Sequence, residues 1–164
     1  ILAKRSAVAD HKLDDIDRKI LRILQGNGRI TNTQLSKEIG LSPAPTLERV
    51  KKLENCGIIK GYHARLDKEQ VGIGVSTFIL VSLKGHNKAN IQRFTVSIED
   101  IEEIIECHHI TGSGDFILRV VSQDIASYQK LMIEKVADIP VVDNLQSIVI
   151  LSTYKDIKVL PILI

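Results

Sequence analysis

An α+β fold in two parts is what this chain predicts: a helical N-terminal third, then strands and helices in alternation. Three observations carry that expectation. Apolar residues recur at helical spacing through residues 13–53, beginning with Ile16, Ile20, Ile23 and Leu24. From Val75 the pattern changes to β-rich apolar runs with few charges, the first being STFILVSL. Strand–helix–strand then occurs twice, over 75–111 and 115–152, the split βαβ plan of a four-stranded sheet with helices on one face.

Composition narrows the class. With 44% hydrophobic and 26% charged residues over 164 positions, the chain is an ordinary globular protein able to bury one good core or two small ones. No apolar run approaches the roughly 20 residues of a membrane span, so no membrane partner is expected. Cys56 and Cys107 suit reduced thiols better than a disulfide framework. The chain begins at Ile1, and residues 1–12 read as a flexible or tag-derived arm. The net charge of +2 hides an asymmetry: residues 1–65 carry 13 Lys+Arg against 7 Asp+Glu, and residues 66–164 carry 9 against 13. A front half at +6 and a back half at −4 suggest that the front faces phosphate.

Leu13 to Gln25 opens with Asp14, Asp15 and Asp17 and moves to Arg18, Lys19 and Arg22, an order that complements a helix dipole. Asn27-Gly28 ends that helix. Thr31 three residues before Gln34 is a capping-box signature. Leu35 and Ile39 give the short second helix its apolar stripe, and Gly40 stands where a left-handed residue stops it. Ser42 is a strong N-cap for a third helix. Pro43 and Pro45 fall in its first turn, where backbone N–H groups have no intrahelical partner.

Stepped at about 100° per residue, that third helix gathers Leu47, Val50 and Leu53 on one side and Ser42, Pro45, Arg49 and Lys52 on another. An apolar back and a polar, basic front are what a helix-turn-helix needs to dock on partner helices and reach base edges in the major groove. The spacing alone also fits any amphipathic helical hairpin; the charge asymmetry favours the DNA reading. Gly57 stops the helix, and Ile58 to Leu66 is expected to form a short ribbon or wing. The winged helix-turn-helix then spans 13–66, and 67–74, with two glycines, is a hinge.

Beyond the hinge, 75–164 is expected to form a second domain of ferredoxin-like βαββαβ plan. Its first helix, Asn87 to Ile98, faces Ile91, Phe94 and Ile98 inward, and a second, capped by Asp124, does the same with Ile125, Tyr128, Leu131, Met132 and Val136. The last strand alternates Ile148 and Ile150 with Val149 and Leu151, so both faces are apolar and two sheets are expected to pack across a dimer. The tail from Tyr154 to Ile164, ending VLPILI, is too apolar to stay free and is expected to pack on a subunit.

The strings LDDIDRKILRILQGNGRI, QLSKEIGLSPAPTLERVKKLEN-CGIIKGY and IIECHHITGSGDFILRV together resemble the Lrp/AsnC family of "feast/famine" regulators over about Leu13 to Leu160. The second string is the most specific of the three, and it is nearer the leucine-responsive branch. The resemblance implies a non-enzymatic cytoplasmic, nucleoid-associated transcription regulator, binding double-stranded DNA as a dimer that assembles into tetramers or octamers. It also implies an amino-acid effector, leucine or another, bound near the turn Thr111-Gly112-Ser113-Gly114-Asp115, with no other cofactor. There the glycines let backbone N–H groups approach an α-carboxylate and Asp115 can receive an α-ammonium. A plain β-turn with an Asx-type residue is the simpler use of such a stretch. Ligand specificity is expected from His109, Val149 and Ile150.

On the DNA side, Arg49 suits a guanine edge or, nearly as well, a phosphate. Lys51, Lys52 and Lys60 suit phosphates. Ser42 and Thr46 are candidates for base or backbone contact, with Pro43, Pro45 and, on the preceding helix, Thr33 and Gln34 on the same front. Cys107-His108-His109 is not read as a metal site, because adjacent strand residues point to opposite faces; Glu102, Glu103 and Glu106 read as an exposed strand edge. Other classes are weaker. A tetrapyrrole-pathway decarboxylase of related fold would need a basic, haem-sized pocket, which an acidic back half does not suggest. An RNA-binding sheet would need base-stacking aromatics, and aromatics total only 4%. A bare amino-acid-sensing module would leave the helix-turn-helix unexplained.

Overall fold

The computed structural model describes residues 12–157 and 159–163, so the expected arm over 1–12 lies almost wholly outside the described residues. The chain forms two compact units, residues up to Arg65 together with those from Asp156 onward, and Leu66–Lys155. The tail, expected with the second domain, therefore belongs to the first unit.

In the first unit, α1 (Asp15–Gly26), α2 (Asn32–Ile39) and α3 (Pro43–Asn55) enclose a core of Leu13, Ile20, Leu21, Leu35, Ile39 and Leu53. Both amino termini are capped as the residue types dictate. Asp14 and Asp17 form one reciprocal capping box, and Thr31 and Gln34 form another. Gly40 ends α2 at φ 77°, a left-handed conformation that favours glycine.

The third helix differs from expectation in three details. Ser42 stands at its N-cap without a side-chain bond; Asn32 Nδ2 instead donates to the Pro43 carbonyl at 2.8 Å and pins the start of α3 to α2. Thr46 is 0% exposed, and its hydroxyl donates to the Ser42 carbonyl at 2.9 Å. Leu47 is 43% exposed. The buried line of α3 thus runs through Thr46, Val50 and Leu53, spaced four and three apart, and Leu47 lies one step of about 100° off it.

No ribbon forms over 58–66 among the described residues. The N–H groups of Ile58 and Ile59 both donate to the Leu53 carbonyl, at 3.0 and 3.1 Å, and both side chains pack on the helical core. The chain turns back on α3 there instead of pairing as a strand, so the wing is an irregular segment. Tyr62 closes it by donating to Glu54 Oε1 at 3.0 Å.

In the second unit, β1 (Val75–Leu83), α4 (Lys88–Ser97), β2 (Ile104–His109), β3 (Phe116–Ser122), α5 (Ile125–Leu131) and β4 (Val142–Val149) form one antiparallel sheet of order β2-β3-β1-β4. A π-helical turn, Met132–Val136, continues α5. Thr77, Ile79, Val81 and Leu83 of β1 and Phe116, Leu118 and Val120 of β3 are buried. Ile79, Val81, Leu83 and the three β3 residues join Phe94, Ile98, Tyr128 and Leu131 in the core. Ile125, expected inward, is 56% exposed; the inward line of α5 begins at Tyr128.

The opposite face of the sheet carries Phe78, Leu80, Ile117, Val121 and Ile148 at positions that share a face by register. Arg119 lies among them, its Nη1 donating to Glu106 Oε1 at 2.8 Å while its buried Nε has no partner. Glu106, expected at an exposed edge, is therefore tied into the sheet face. No helix among the described residues is long and apolar enough to cross a membrane.

Candidate functional site

The front of the helix-turn-helix is built by the first turns of α2 and α3. Ser42, Pro43, Pro45, Lys51, Lys52 and Lys60 are exposed, as are Thr33 and Gln34. Gln34 has its Oε1 committed to the Thr31 N–H and hydroxyl, at 3.2 and 3.1 Å. Thr46 is removed from the contacting set by its burial. A front of proline rings, a free serine hydroxyl and lysines at its edges presents shape, one donor-acceptor and mobile cations to a partner.

Arg49 is not free on that front. Its Nη1 donates to Asp14 Oδ2 at 2.7 Å and to Asp17 Oδ1 at 2.8 Å, joining α3 to the amino end of α1. These residues, with Lys12, Pro45, Glu48 and Lys52, line a groove of about 470 Å³. The Asp17 N–H, and then the Arg49 guanidinium, hold the Asp14 carboxyl below its ordinary value against the pull of burial. The two carboxylates in turn push Arg49 higher.

In the second unit, the turn from β2 to β3 leaves Thr111, Gly112 and Ser113 exposed. Gly112 has φ 122° with open space beside it, where a side chain would strain the backbone. Gly114 is required for another reason: an added Cβ would stand 2.7 Å from Leu80 Cγ and 3.2 Å from the Val81 carbonyl oxygen.

Asp115 is anchored inside its own unit. Its N–H donates to the Val81 carbonyl at 2.8 Å, and its carboxylate accepts the Leu83 N–H at 2.7 Å and pairs with His86. The Leu83 N–H, and then His86 and His109, hold its carboxyl below the ordinary value although burial pulls the other way. A row of rings runs inward from this point. His109 lies 5.6 Å from His86 and 4.9 Å from Phe116, which lies 4.8 Å from Phe94 in the core. The turn is thus backed by a line of rings that reaches the core.

Val149 and Ile150 are not brought to this turn within one chain. Val149 pairs with Thr77, and the Ile150 N–H donates to Ser76, whereas the turn meets β1 at Val81 and Leu83. Four or more strand residues separate the two, roughly 14 Å at about 3.4 Å each. An antiparallel partner necessarily places its end at the beginning of β1. His86 and the Leu83 N–H were missed in the sequence; the signal lay in Gly85-His86-Asn87, a glycine and a helix N-cap bracketing a histidine.

A three-helix DNA reader whose third helix exposes its amino end, joined to an antiparallel sheet domain carrying a glycine-rich turn, defines a ligand-responsive DNA-binding regulator. The comparisons agree. Residues 13–60 match the family model for a winged helix-turn-helix DNA-binding domain, and residues 76–160 match the Lrp/AsnC ligand binding domain. The chain is 38% identical over 143 residues to the leucine-responsive regulatory protein of Escherichia coli K12, covering 87% of each. It is 37% identical over 145 residues to that of Rhizobium meliloti, covering 88% of this chain and 93% of the relative. Among solved structures, a Neisseria meningitidis transcriptional regulator in complex with L-Met aligns with TM-score 0.88 and 35% identity, over 92% of this chain and 97% of that one. The chain belongs to the Lrp/AsnC family and is a DNA-binding transcription regulator.

Proposed function

We propose that this regulator binds double-stranded DNA as a homo-oligomer in the cytoplasm, associated with the nucleoid, and that a small amino acid modulates its binding or assembly. The observation that carries the DNA half is the exposed amino end of α3. Ser42, Pro43 and Pro45, with Thr33 and Gln34 beside them, face a major groove, and Lys51, Lys52 and Lys60 take phosphates. Dimers form through the apolar sheet face carrying Phe78, Leu80, Ile117 and Ile148, and assemble further into tetramers or octamers. No catalytic chemistry and no cofactor beyond the effector enter this reading.

The effector takes the backbone of Thr111, Gly112, Ser113 and the half-buried Gly114 with its α-carboxylate, and Asp115 and His109 border its ammonium. The L-Met found in the Neisseria relative supports an amino acid of that size. Because Val149 and Ile150 lie at the far end of β1 in the same chain, they reach an effector only if a second copy supplies them.

A thermal-shift screen of the purified protein against the twenty amino acids tests the effector half. A ligand at 100 times its dissociation constant adds about 2.7 kcal/mol, and a domain of this size then melts several degrees higher. A shift from one amino acid that disappears in Asp115→Ala supports the site. No shift from any of them removes the effector from the turn and leaves the DNA reading to stand on its own test.

A further inference from the structure

The geometry points to Arg49 as the brace that fixes the recognition helix on α1, a positioning residue for DNA binding and not a reader of bases or phosphates. This rests on the DNA-binding reading above. The carboxylate oxygens of Asp14 and Asp17 serve both the cap of α1 and the arginine. Asp14 Oδ1 accepts the Asp17 N–H at 2.8 Å and Asp17 Oδ2 accepts the Asp14 N–H at 3.4 Å, which closes the capping box of α1. The other oxygen of each, Asp14 Oδ2 and Asp17 Oδ1, accepts from Arg49 Nη1. One nitrogen of α3 therefore locks both members of the box that starts α1.

Withdrawing Arg49 toward DNA would break both of these charge-assisted bonds, one of them to a carboxylate on a residue only 3% exposed. Such a loss is costly because the buried charge remains. Both bonds come from Nη1, so the arginine ties α3 to the start of α1 at one point beside the turn that carries Ser42 and Pro45.

The test turns on a sign. Asp17 carries negative charge, so removing it should tighten binding to phosphates by Coulomb's law alone. A brace predicts the reverse. The full chain would be used with a duplex enriched from a randomised pool by the wild-type protein, and binding followed by fluorescence anisotropy over a salt series. Asp17→Asn and Arg49→Ala should each weaken binding by roughly tenfold, the worth of one charge-assisted bond. The salt slope and the enriched sequence should stay those of the wild type, and the double variant should be no weaker than the weaker single. Arg49→Lys, which keeps one charged donor nitrogen but not the guanidinium, should fall between.

Two results overturn the assignment. Tighter or unchanged binding in Asp17→Asn does so, especially if Arg49→Ala alters the enriched sequence at one base pair. A salt slope lowered by about one in Arg49→Ala makes it a phosphate contact. Thermal unfolding of the same samples fixes a temperature at which every variant is folded. If the wild type enriches no sequence, the DNA reading fails instead, and additive stability losses for Arg49→Ala and Asp17→Asn would then reject the brace independently.

Discussion

Gln25 and Leu160, 135 residues apart in the chain, exchange two hydrogen bonds. Gln25 Nε2 donates to the Leu160 carbonyl at 3.1 Å, and Gln25 Oε1 accepts the Leu160 N–H at 2.7 Å. The carboxamide thus imitates a neighbouring strand for one residue of the tail. Ile162 packs on the helical core beside it, and Arg65 Nη2 donates to the Asp156 carboxylate at 3.2 Å.

Truncation after Lys155 should therefore destabilise the N-terminal unit. The lost bonds contribute about 0.5–1.5 kcal/mol each and the partial burial of Ile162 about 1–2 kcal/mol. Gln25→Ala alone should cost about 1–2 kcal/mol. Urea unfolding would check both, and a truncated chain with an unchanged midpoint would show the tail to be passive.

Tyr62 supplies an alkaline prediction. Burial, and then the Glu54 carboxylate, push its phenol up from 10.0 to about 12. A raised folded value means the folded state favours the protonated phenol. Its contribution is complete below 10.0 and is lost as pH rises through about 12. The difference in stability between wild type and Tyr62→Phe should shrink across that window. A Tyr62 absorbance change centred at its ordinary value would contradict the Glu54 bond.

Asp115 behaves in the opposite sense. Its folded value lies below 3.8, so its ionised form stabilises the fold above that pH and the contribution fades as pH falls through the lowered value. Asp115→Ala should cost about 1–3 kcal/mol near neutrality by stranding the Leu83 N–H. The gap from wild type should narrow in acid below pH 3.8. A gap independent of pH would mean that packing, not charge, holds the turn.

The two glycines of that turn should fail differently. Gly114→Ala forces Leu80 or the Val81 carbonyl to move and should cost about 1–3 kcal/mol. Gly112→Ala meets no neighbour and should cost roughly 1–2 kcal/mol through its backbone alone. Thermal melts would separate them on combining with Leu80→Ala, which should relieve the first and leave the second unchanged.

DNA affinity should fall steeply with salt, by roughly 0.9 of a log unit per log unit for each phosphate neutralised. Lys52→Ala and Lys60→Ala should each lower that slope by about one without altering sequence preference. Slopes identical to wild type would take those lysines off the DNA.

Much of this was legible in order along the chain. The capping box at Thr31, the stop at Gly40 and the inward stripe of α4 are local rules, satisfied within a few residues. Lrp/AsnC membership lay in contiguous strings. The differences arose where packing decides what local pattern leaves open, in the wing over 58–66, at Ile125 and along α3. Leu47 and Thr46 exchanged places because one step of the helix decides burial, and periodicity leaves that step open. Arg49 looked free because its partners lie 35 and 32 residues earlier. Val149 and Ile150 lie away from the turn within one chain because strand direction separates them.

The sequence by itself determined the helices of the first unit, the strand–helix order of the second, the charge division and the family, since each rests on periods and caps written into neighbouring residues. Tertiary structure alone decided that the tail returns to the helical unit, that Asp115 answers to Leu83 and His86, and that Arg49 is held by α1. Those outcomes depend on which surfaces meet when the chain closes on itself. A carboxylate or a guanidinium takes the partner that burial leaves within about 3 Å, and that neighbour cannot be read from its place in the chain.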